Sequence, residues 1–266
     1  MTDHPADRTA FLAKMAEFAH ALSDAARAET LHRWLAGTAA ENKSAAGFDP
    51  VTEADRGAER AMRALIERSF PEHGIAGEEF ADRASQGRYC WSLDPVDGTR
   101  AFICRLPSWV TLIALLEDGK PVLGVIDAPA LEERYVGFGP GYLRSGGADA
   151  ALGTSGCTHI AEARLSTTDP YLFEGAAREA FDDLQARVRT TRYGLDGYAY
   201  ARLAAGSIDL VIENALKPHD YNALIPVVRA AGGTIGDWRG GEDFGPGEVI
   251  AAATPELYRA AVKAMR

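Results

Sequence analysis

The sequence predicts a single α/β domain spanning residues 1–266, at most with two lobes. Three observations carry that expectation. In the second half of the chain short apolar runs alternate with amphipathic stretches. The aromatic and apolar run from Tyr89 to Leu93 has the length and composition of a buried strand. No internal repeat, low-complexity tract or linker divides the chain.

Taken in order, Arg8 to Ala36 reads as an amphipathic helix with Phe11, Met15, Phe18 and Leu22 at helical spacing, then Leu31 and Leu35, ended by Gly37. That stripe suits core or subunit packing. Glu41 to Pro50 is a polar loop carrying Lys43. Thr52 is placed to cap a second helix whose apolar face is Ala58, Met62, Leu65 and Ile66. Asp55 falls in its first turn, where a carboxylate suits the helix dipole. Pro71-Glu72-His73-Gly74 turns the chain into Ile75-Ala76-Gly77, which delivers Glu78 and Glu79, one of the two facing solvent.

Beyond the Tyr89 run, Val110–Leu116 and Pro121–Ile126 form a hairpin across Glu117-Asp118-Gly119-Lys120, and Arg134–Phe138 continues the meander. Gly139-Pro140-Gly141 and Gly146-Gly147 read as surface turns, since no phosphate-loop helix follows them. Strands are expected near Ala163–Ser166, Tyr171–Phe173, Val188–Arg192 and Ile208–Ile212, with helices over Ala176–Ala186 and Asp196–Ala205, the latter stopped by Gly206. Asp220 is read as the N-cap of a helix that Pro226 must kink and that Ala230-Ala231-Gly232-Gly233 ends. Strands at Thr234–Ile235 and Val249–Ala252 precede a last helix capped by Thr254-Pro255.

A net charge of −10 with no basic run argues against nucleic acid or an anionic membrane surface as partner. Cys90, Cys104 and Cys157 are odd in number and widely spaced, as expected of reduced thiols in a cytoplasmic protein. The N-terminus is polar and no apolar run approaches the roughly 18 residues of a membrane span, so no export signal or anchor is expected.

The chemistry concentrates where the Tyr89 run ends, in Asp94-Pro95-Val96-Asp97-Gly98-Thr99. Pro95 fixes its own φ and biases Asp94 away from helix, which holds two carboxylates on a rigid corner. Gly98 allows close backbone approach to a ligand, and Thr99 adds a hydroxyl beside amides able to cradle a phosphate. Asp-Pro and Asp-Gly are also ordinary turn dipeptides. Glu78 offers a third carboxylate and Asp220 a fourth. Four converging carboxylates raise one another's pKa, and divalent cations are the natural means of keeping them ionised. All-oxygen ligands favour Mg²⁺ or Mn²⁺ over zinc.

The set Gly77-Glu78-Glu79, Asp94-Pro95-Val96-Asp97-Gly98-Thr99 and Asp220-Tyr221-Asn222-Ala223 followed by Ala230-Ala231-Gly232-Gly233 resembles the inositol monophosphatase family of Mg²⁺-dependent, lithium-sensitive phosphatases. Asp49 to Asp55, with Lys43 before it and Glu59 after it, resembles that family's N-terminal motif. The resemblance implies a layered α/β sandwich with alternating helix and sheet layers, a homodimer, and a small phosphorylated metabolite as substrate. It implies that Glu78, Asp94, the Val96 carbonyl, Asp97 and Asp220 bind two or three Mg²⁺ per subunit. It also implies that Asp55 pairs with Thr99 to activate the attacking water, that Gly98 and Thr99 amides hold the phosphate, and that Lys43 adds a movable charge.

For the leaving group, Arg192-Tyr193-Gly194-Leu195-Asp196, then Glu213, then Leu216-Lys217-Pro218-His219-Asp220, resembles the histidinol-phosphate phosphatase branch. His219 stands where inositol-type members have Trp. Asp196 and Glu213 suit an ammonium and an imidazole. Each also has a structural role open to it, Asp196 as a helix N-cap and Glu213 as a strand-end surface charge. The alternatives are an inositol-1-phosphatase or fructose-1,6-bisphosphatase, and a non-catalytic interaction protein on the same fold.

Overall fold

The computed structural model describes residues 5–37, 39–42 and 50–266. Its elements run α1 (Pro5–Ala36), β1 (Glu41–Asn42), β2 (Pro50–Val51), α2 (Glu53–Ser69), β3 (Gly74–Gly77), β4 (Tyr89–Asp97), α3 (Thr99–Ile103), β5 (Val110–Glu117), β6 (Lys120–Ala128), β7 (Glu133–Gly137), β8 (Tyr142–Ser145) and β9 (Ala148–Ala151). The second half continues β10 (Arg164–Thr167), α4 (Gly175–Gln185), β11 (Thr190–Tyr193), α5 (Gly197–Ala204), β12 (Leu210–Glu213), α6 (Pro218–Tyr221), α7 (Leu224–Ala230), β13 (Thr234–Gly236), β14 (Val249–Ala252) and α8 (Pro255–Ala264).

Two sheets organise the molecule. The larger has seven strands in chain order from β3 to β9, antiparallel except for the β3–β4 pair. The smaller has the order β11-β10-β12-β14-β13, with β10 parallel to both neighbours. Helices α1 and α2 cover one face of the large sheet, α5 and α7 lie between the sheets, and α4 with α8 covers the outer face of the small sheet. The result is five alternating layers, the layered sandwich expected.

The cores follow from periodicity. On α1, Met15, Ala19, Leu22 and Ala26 are fully buried against Met62 and Ile66 of α2 and Trp91 and Leu93 of β4. Burying each side chain of Leu or Met size contributes about 1.5–3 kcal/mol over leaving it in water. Leu35 is 65% exposed and lies outside the stripe. β4 is buried on both faces from Trp91 to Val96, because helices cover one side and the α5–α7 layer the other.

Several local expectations change. Tyr171–Phe173 is not a strand. Pro170 starts a 3₁₀ turn there and the Asp169 carboxylate caps it by accepting from the Tyr171 N–H at 2.9 Å. Gly146 and Gly147 do form a surface turn as expected, at φ 58° and 78°, and it closes a β8–β9 hairpin. Asp220 is not the N-cap but the third residue of α6, and its carboxylate accepts from the N–H of the cap, Lys217, at 2.6 Å. Pro226 kinks nothing, because the helix breaks at Asn222–Ala223 and restarts as α7 with Pro226 in the first turn.

The junction between α6 and α7 sits close to the large sheet. Gly124 of β6 and Gly137 of β7 are cross-strand partners. A Cβ on Gly124 would lie 2.1 Å from the Ala223 carbonyl oxygen, and one on Gly137 would lie 2.4 Å from the Val227 Cα. Only glycine at both positions lets the α6–α7 backbone rest directly on the strands.

Candidate active site

β4 ends in a bulge: Asp94 pairs with Leu112 and Asp97 with Val110, so Pro95 and Val96 together oppose Thr111. Pro95 has no N–H to lose, and its carbonyl accepts from the Thr111 hydroxyl at 2.8 Å. The bulge turns Asp94 and Asp97 toward one place. Gly98, at φ 82°, then swings the chain into α3, and the Thr99 hydroxyl donates to the Val96 carbonyl at 3.0 Å.

Glu78 arrives from the end of β3. The neighbouring Glu59 is buried, accepts from Arg63 Nε at 2.7 Å and from the Glu79 N–H at 2.8 Å, and so pins the loop. Glu78 and Glu79 are both half-buried, so neither of the pair faces solvent freely. α6 delivers His219 and Asp220 from the other side, with His219 Nε2 3.4 Å from Asp220 Oδ1.

Two ligand sets result, Glu78 with Asp94 and His219, and Asp94 with Asp97 and Asp220, each with its ligand atoms within 4.8 Å of one another. Asp94 belongs to both. Burial first, then the charges of Glu78, Asp97, Asp220 and Asp55, pushes the Asp94 pKa far above the carboxylate range. Burial followed by Asp196 and Asp220 does the same to Asp97, against a 2.5 Å hydrogen bond from the Gly197 N–H. Asp220 is raised chiefly by burial, with the nearby His219 opposing. Mutually repelling, desolvated carboxylates with one imidazole fit hard divalent cations, which supply the missing positive charge.

Asp55 departs from expectation. It is buried in a capping box in which its Oδ2 accepts from the Thr52 N–H at 2.8 Å and the Thr52 hydroxyl at 2.5 Å. Its Oδ1 has no hydrogen-bond partner among the described residues, so the Asp55–Thr99 pair is not formed. Burial pushes its pKa to about 6, and the Glu78 charge adds to the rise. Lys43 lies outside the described residues.

Next to the ligand sets is a cavity of ≈ 170 Å³ whose walls include Asp97, Asp220, Asp196, Glu213 and Tyr200. Asp196 occupies the N-cap position of α5 at φ 48° without making a capping bond. Its carboxylate is directed at Gly98, where a Cβ would lie 3.1 Å from its Oδ2. Burial raises it to about 6, with Arg100 opposing. Glu213 is not a surface charge but 2% exposed, accepting from the Thr168 N–H at 2.8 Å and the Thr168 hydroxyl at 2.9 Å. Burial pushes its pKa to about 8.

Arg192 stands apart from the cavity. It sits exposed on β11, the edge strand of the small sheet, and is not among the residues that line this cavity. Gly194 lines an adjoining depression with Arg100, Cys104 and Leu106, which shares Asp196 and Thr168 with the cavity. Sequence reasoning missed His219 as a candidate ligand, though its place beside Asp220 in a first helical turn was a signal. It also missed Thr168 and Tyr200 and gave Glu59, named in the N-terminal motif, no role, since these roles depend on contacts distant in sequence.

A family model described as the inositol monophosphatase family matches residues 12–266. The chain belongs to this family. Like its relatives it is a phosphatase by family. A bifunctional phosphatase, IMPL2, of Arabidopsis thaliana chloroplasts is 47% identical over 195 residues, 73% of this chain and 56% of that protein, so the match spans little more than half the plant relative's length. A histidinol-phosphatase of Chlorobaculum parvum is 34% identical over 220 residues, covering 81% of this chain and 83% of that one. Among solved structures, an inositol monophosphatase from Zymomonas mobilis superposes with a TM-score of 0.83 at 41% identity, covering 94% of this chain and 96% of that chain. No helix among the described residues is long and apolar enough to cross a membrane.

Proposed function

We propose that the protein hydrolyses L-histidinol phosphate to L-histidinol and phosphate in histidine synthesis, with water as nucleophile and no covalent phosphoenzyme. The observation that carries this reading is the placing of Asp196 and Glu213 in one cavity with Asp97 and Asp220. A phosphate bound at the ligand sets would extend its leaving group toward two acidic side chains. A cationic amino alcohol gains from both, whereas a neutral polyol gains only hydrogen bonds.

Glu78, Asp94, Asp97, Asp220 and the Val96 carbonyl, joined by His219, would hold two or three Mg²⁺, with Mn²⁺ a workable substitute. When bound, these cations supply the charge that ionises an attacking water and offsets the charge growing on the leaving oxygen. Asp55 takes the water's proton at its unpartnered Oδ1, while Thr52 fixes the other oxygen. The Gly98 and Thr99 amides, turned by the left-handed Gly98, steady the phosphate oxygens. Glu59 and Arg63 keep the Glu78 loop in place.

The histidinol-phosphatase relative supports this substrate. The inositol monophosphatase of Zymomonas supports a second reading, inositol 1-phosphate, on the same metal chemistry. The test is phosphate release from L-histidinol phosphate, inositol 1-phosphate and fructose 1,6-bisphosphate, each with Mg²⁺ and with EDTA. A Mg²⁺-dependent preference for histidinol phosphate is expected. Preference for either polyol ester would discard the substrate and retain the chemistry, and silence on all three would leave the interaction-protein reading.

A further inference from the structure

The cavity beside the ligand sets contains a buried hydroxyl that the proposed reaction does not use and that no neighbour among the described residues satisfies. Tyr200, on α5, is 1% exposed, and its hydroxyl has no hydrogen-bond partner among the described residues. Its ring is part of the core between the two sheets, so the side chain has no freedom to reach solvent. The same residue lines the cavity together with Asp196, Glu213, Asp97 and Asp220. A buried hydroxyl without a partner is costly, and a phenylalanine would fill the same space without that cost. The hydroxyl is therefore explained by something that enters the cavity.

We propose that the Tyr200 hydroxyl is a specificity-determining contact for the leaving group, accepting a hydrogen bond from the ammonium of an amino-alcohol phosphate held between Asp196 and Glu213. This rests on the substrate reading above. A primary ammonium has three N–H donors and needs three acceptors. Asp196 supplies one carboxylate. Glu213 supplies another, although its Oε1 already accepts from the Thr168 N–H and hydroxyl and its Oε2 from the Thr167 hydroxyl at 3.3 Å. The phenol oxygen is the third acceptor. Burial, and then the charges of Glu213, Asp97 and Asp220, keeps the phenol protonated, and its oxygen still has lone pairs to offer. Apolar Leu172, Leu216 and Leu224 close the rest of the cavity. A neutral polyol gains less from this arrangement, because its hydroxyls donate without the positive charge that strengthens each hydrogen bond of the ammonium.

The test is Tyr200→Phe, which removes one atom that makes no bond in the free protein. The variant should melt at or above the wild-type temperature, so it remains folded for the measurement. KM for L-histidinol phosphate should rise on the order of tenfold, the usual scale for a hydrogen bond to a charged group, with kcat little changed. Calorimetric affinity for L-histidinol alone should fall by a similar factor, while turnover of p-nitrophenyl phosphate, which has no amine, should stay at the wild-type level. Equal KM for histidinol phosphate in the two proteins would overturn the contact, as would equal losses on both substrates. A wild type that hydrolyses inositol 1-phosphate but not histidinol phosphate would instead overturn the substrate reading, and the ammonium contact with it. The two failures are separated by the wild-type assay.

Discussion

Replacing Gly124 by alanine should damage stability and turnover together. The added methyl would sit 2.1 Å from the Ala223 carbonyl oxygen, 3.0 Å from its carbon and 3.2 Å from its Cα. These are backbone atoms at the start of α7, so no rotamer relieves the overlap. An ordinary contact needs more than 3 Å, so the α6–α7 junction must retreat by about 1 Å. Overpacking of this kind costs about 3 kcal/mol, which for a domain of this size lowers Tm by roughly 6–12 °C. The same retreat carries Asp220, three residues upstream, out of register with Asp94, and a misplacement of about 1 Å in a catalytic site costs roughly a hundredfold in rate. Circular-dichroism melting and phosphate release at saturating Mg²⁺ measure both effects. Gly87→Ala is the control, since nothing lies within 4 Å of a Cβ there. A Gly124→Ala protein with wild-type Tm and kcat/KM would refute the reasoning.

Asp97→Asn should lose most turnover at Mg²⁺ concentrations that saturate the wild type, through weakened cation binding, with the fold kept by circular dichroism; near-normal activity under those conditions would contradict the ligand assignment. Glu213 predicts a pH effect in the metal-free protein. Its carboxyl is raised from 4.5 to about 8 on folding, so its contribution is complete below pH 4.5 and is lost as pH rises through 8. Urea midpoints in EDTA should therefore fall over that window, and less steeply in Glu213→Gln; parallel curves would exclude the group. Asp127 is fully buried, with Arg27 bonding it at 2.7 and 2.8 Å and Arg134 at 2.7 Å. Asp127→Asn leaves Arg27 without its hydrogen-bonded carboxylate and the buried Arg134 with only the exposed Asp24, and should cost about 3–5 kcal/mol in urea unfolding, whereas a loss below about 1 kcal/mol would show that the network relaxes.

The ligand-bearing segments were legible because they are contiguous. Asp94 to Thr99 states its own geometry, since the proline, the glycine and the strand before them act over a few residues. The meander was legible for the same reason, its turns being marked by Asp118-Gly119 and its strands by period. What could not be read depended on partners distant in the chain. Glu213 looks like the end of a strand until Thr167 and Thr168 of the neighbouring β10 segment meet it. Asp196 looks like a cap, but its positive φ turns the carboxylate toward Gly98 instead. Arg192 lay in a motif with Asp196, yet β11 is the edge strand of the small sheet and leaves Arg192 exposed. Apolar Tyr171–Phe173 passed for a strand because the cap from Asp169 competes with pairing in a way composition does not reveal.

The sharing of Asp94 between two ligand sets has a consequence for how the molecule comes into being. Asp94 and Asp97 belong to a strand of the large sheet, while His219 and Asp220 follow the last residue of a strand in the small sheet. A buried hydrogen bond from Asn222 Nδ2 to Ser92 Oγ, at 3.2 Å, closes the same seam. A chain still being synthesised thus holds its first carboxylates long before their partners exist, and cations can find only weak sites on it. If the ligand sets hold cations as proposed, tight binding arrives only with the docking of the second sheet, and a bound ion would report completed assembly. A cation that binds the finished molecule and not its precursors also holds the two sheets together, drawing the last folding step forward by mass action.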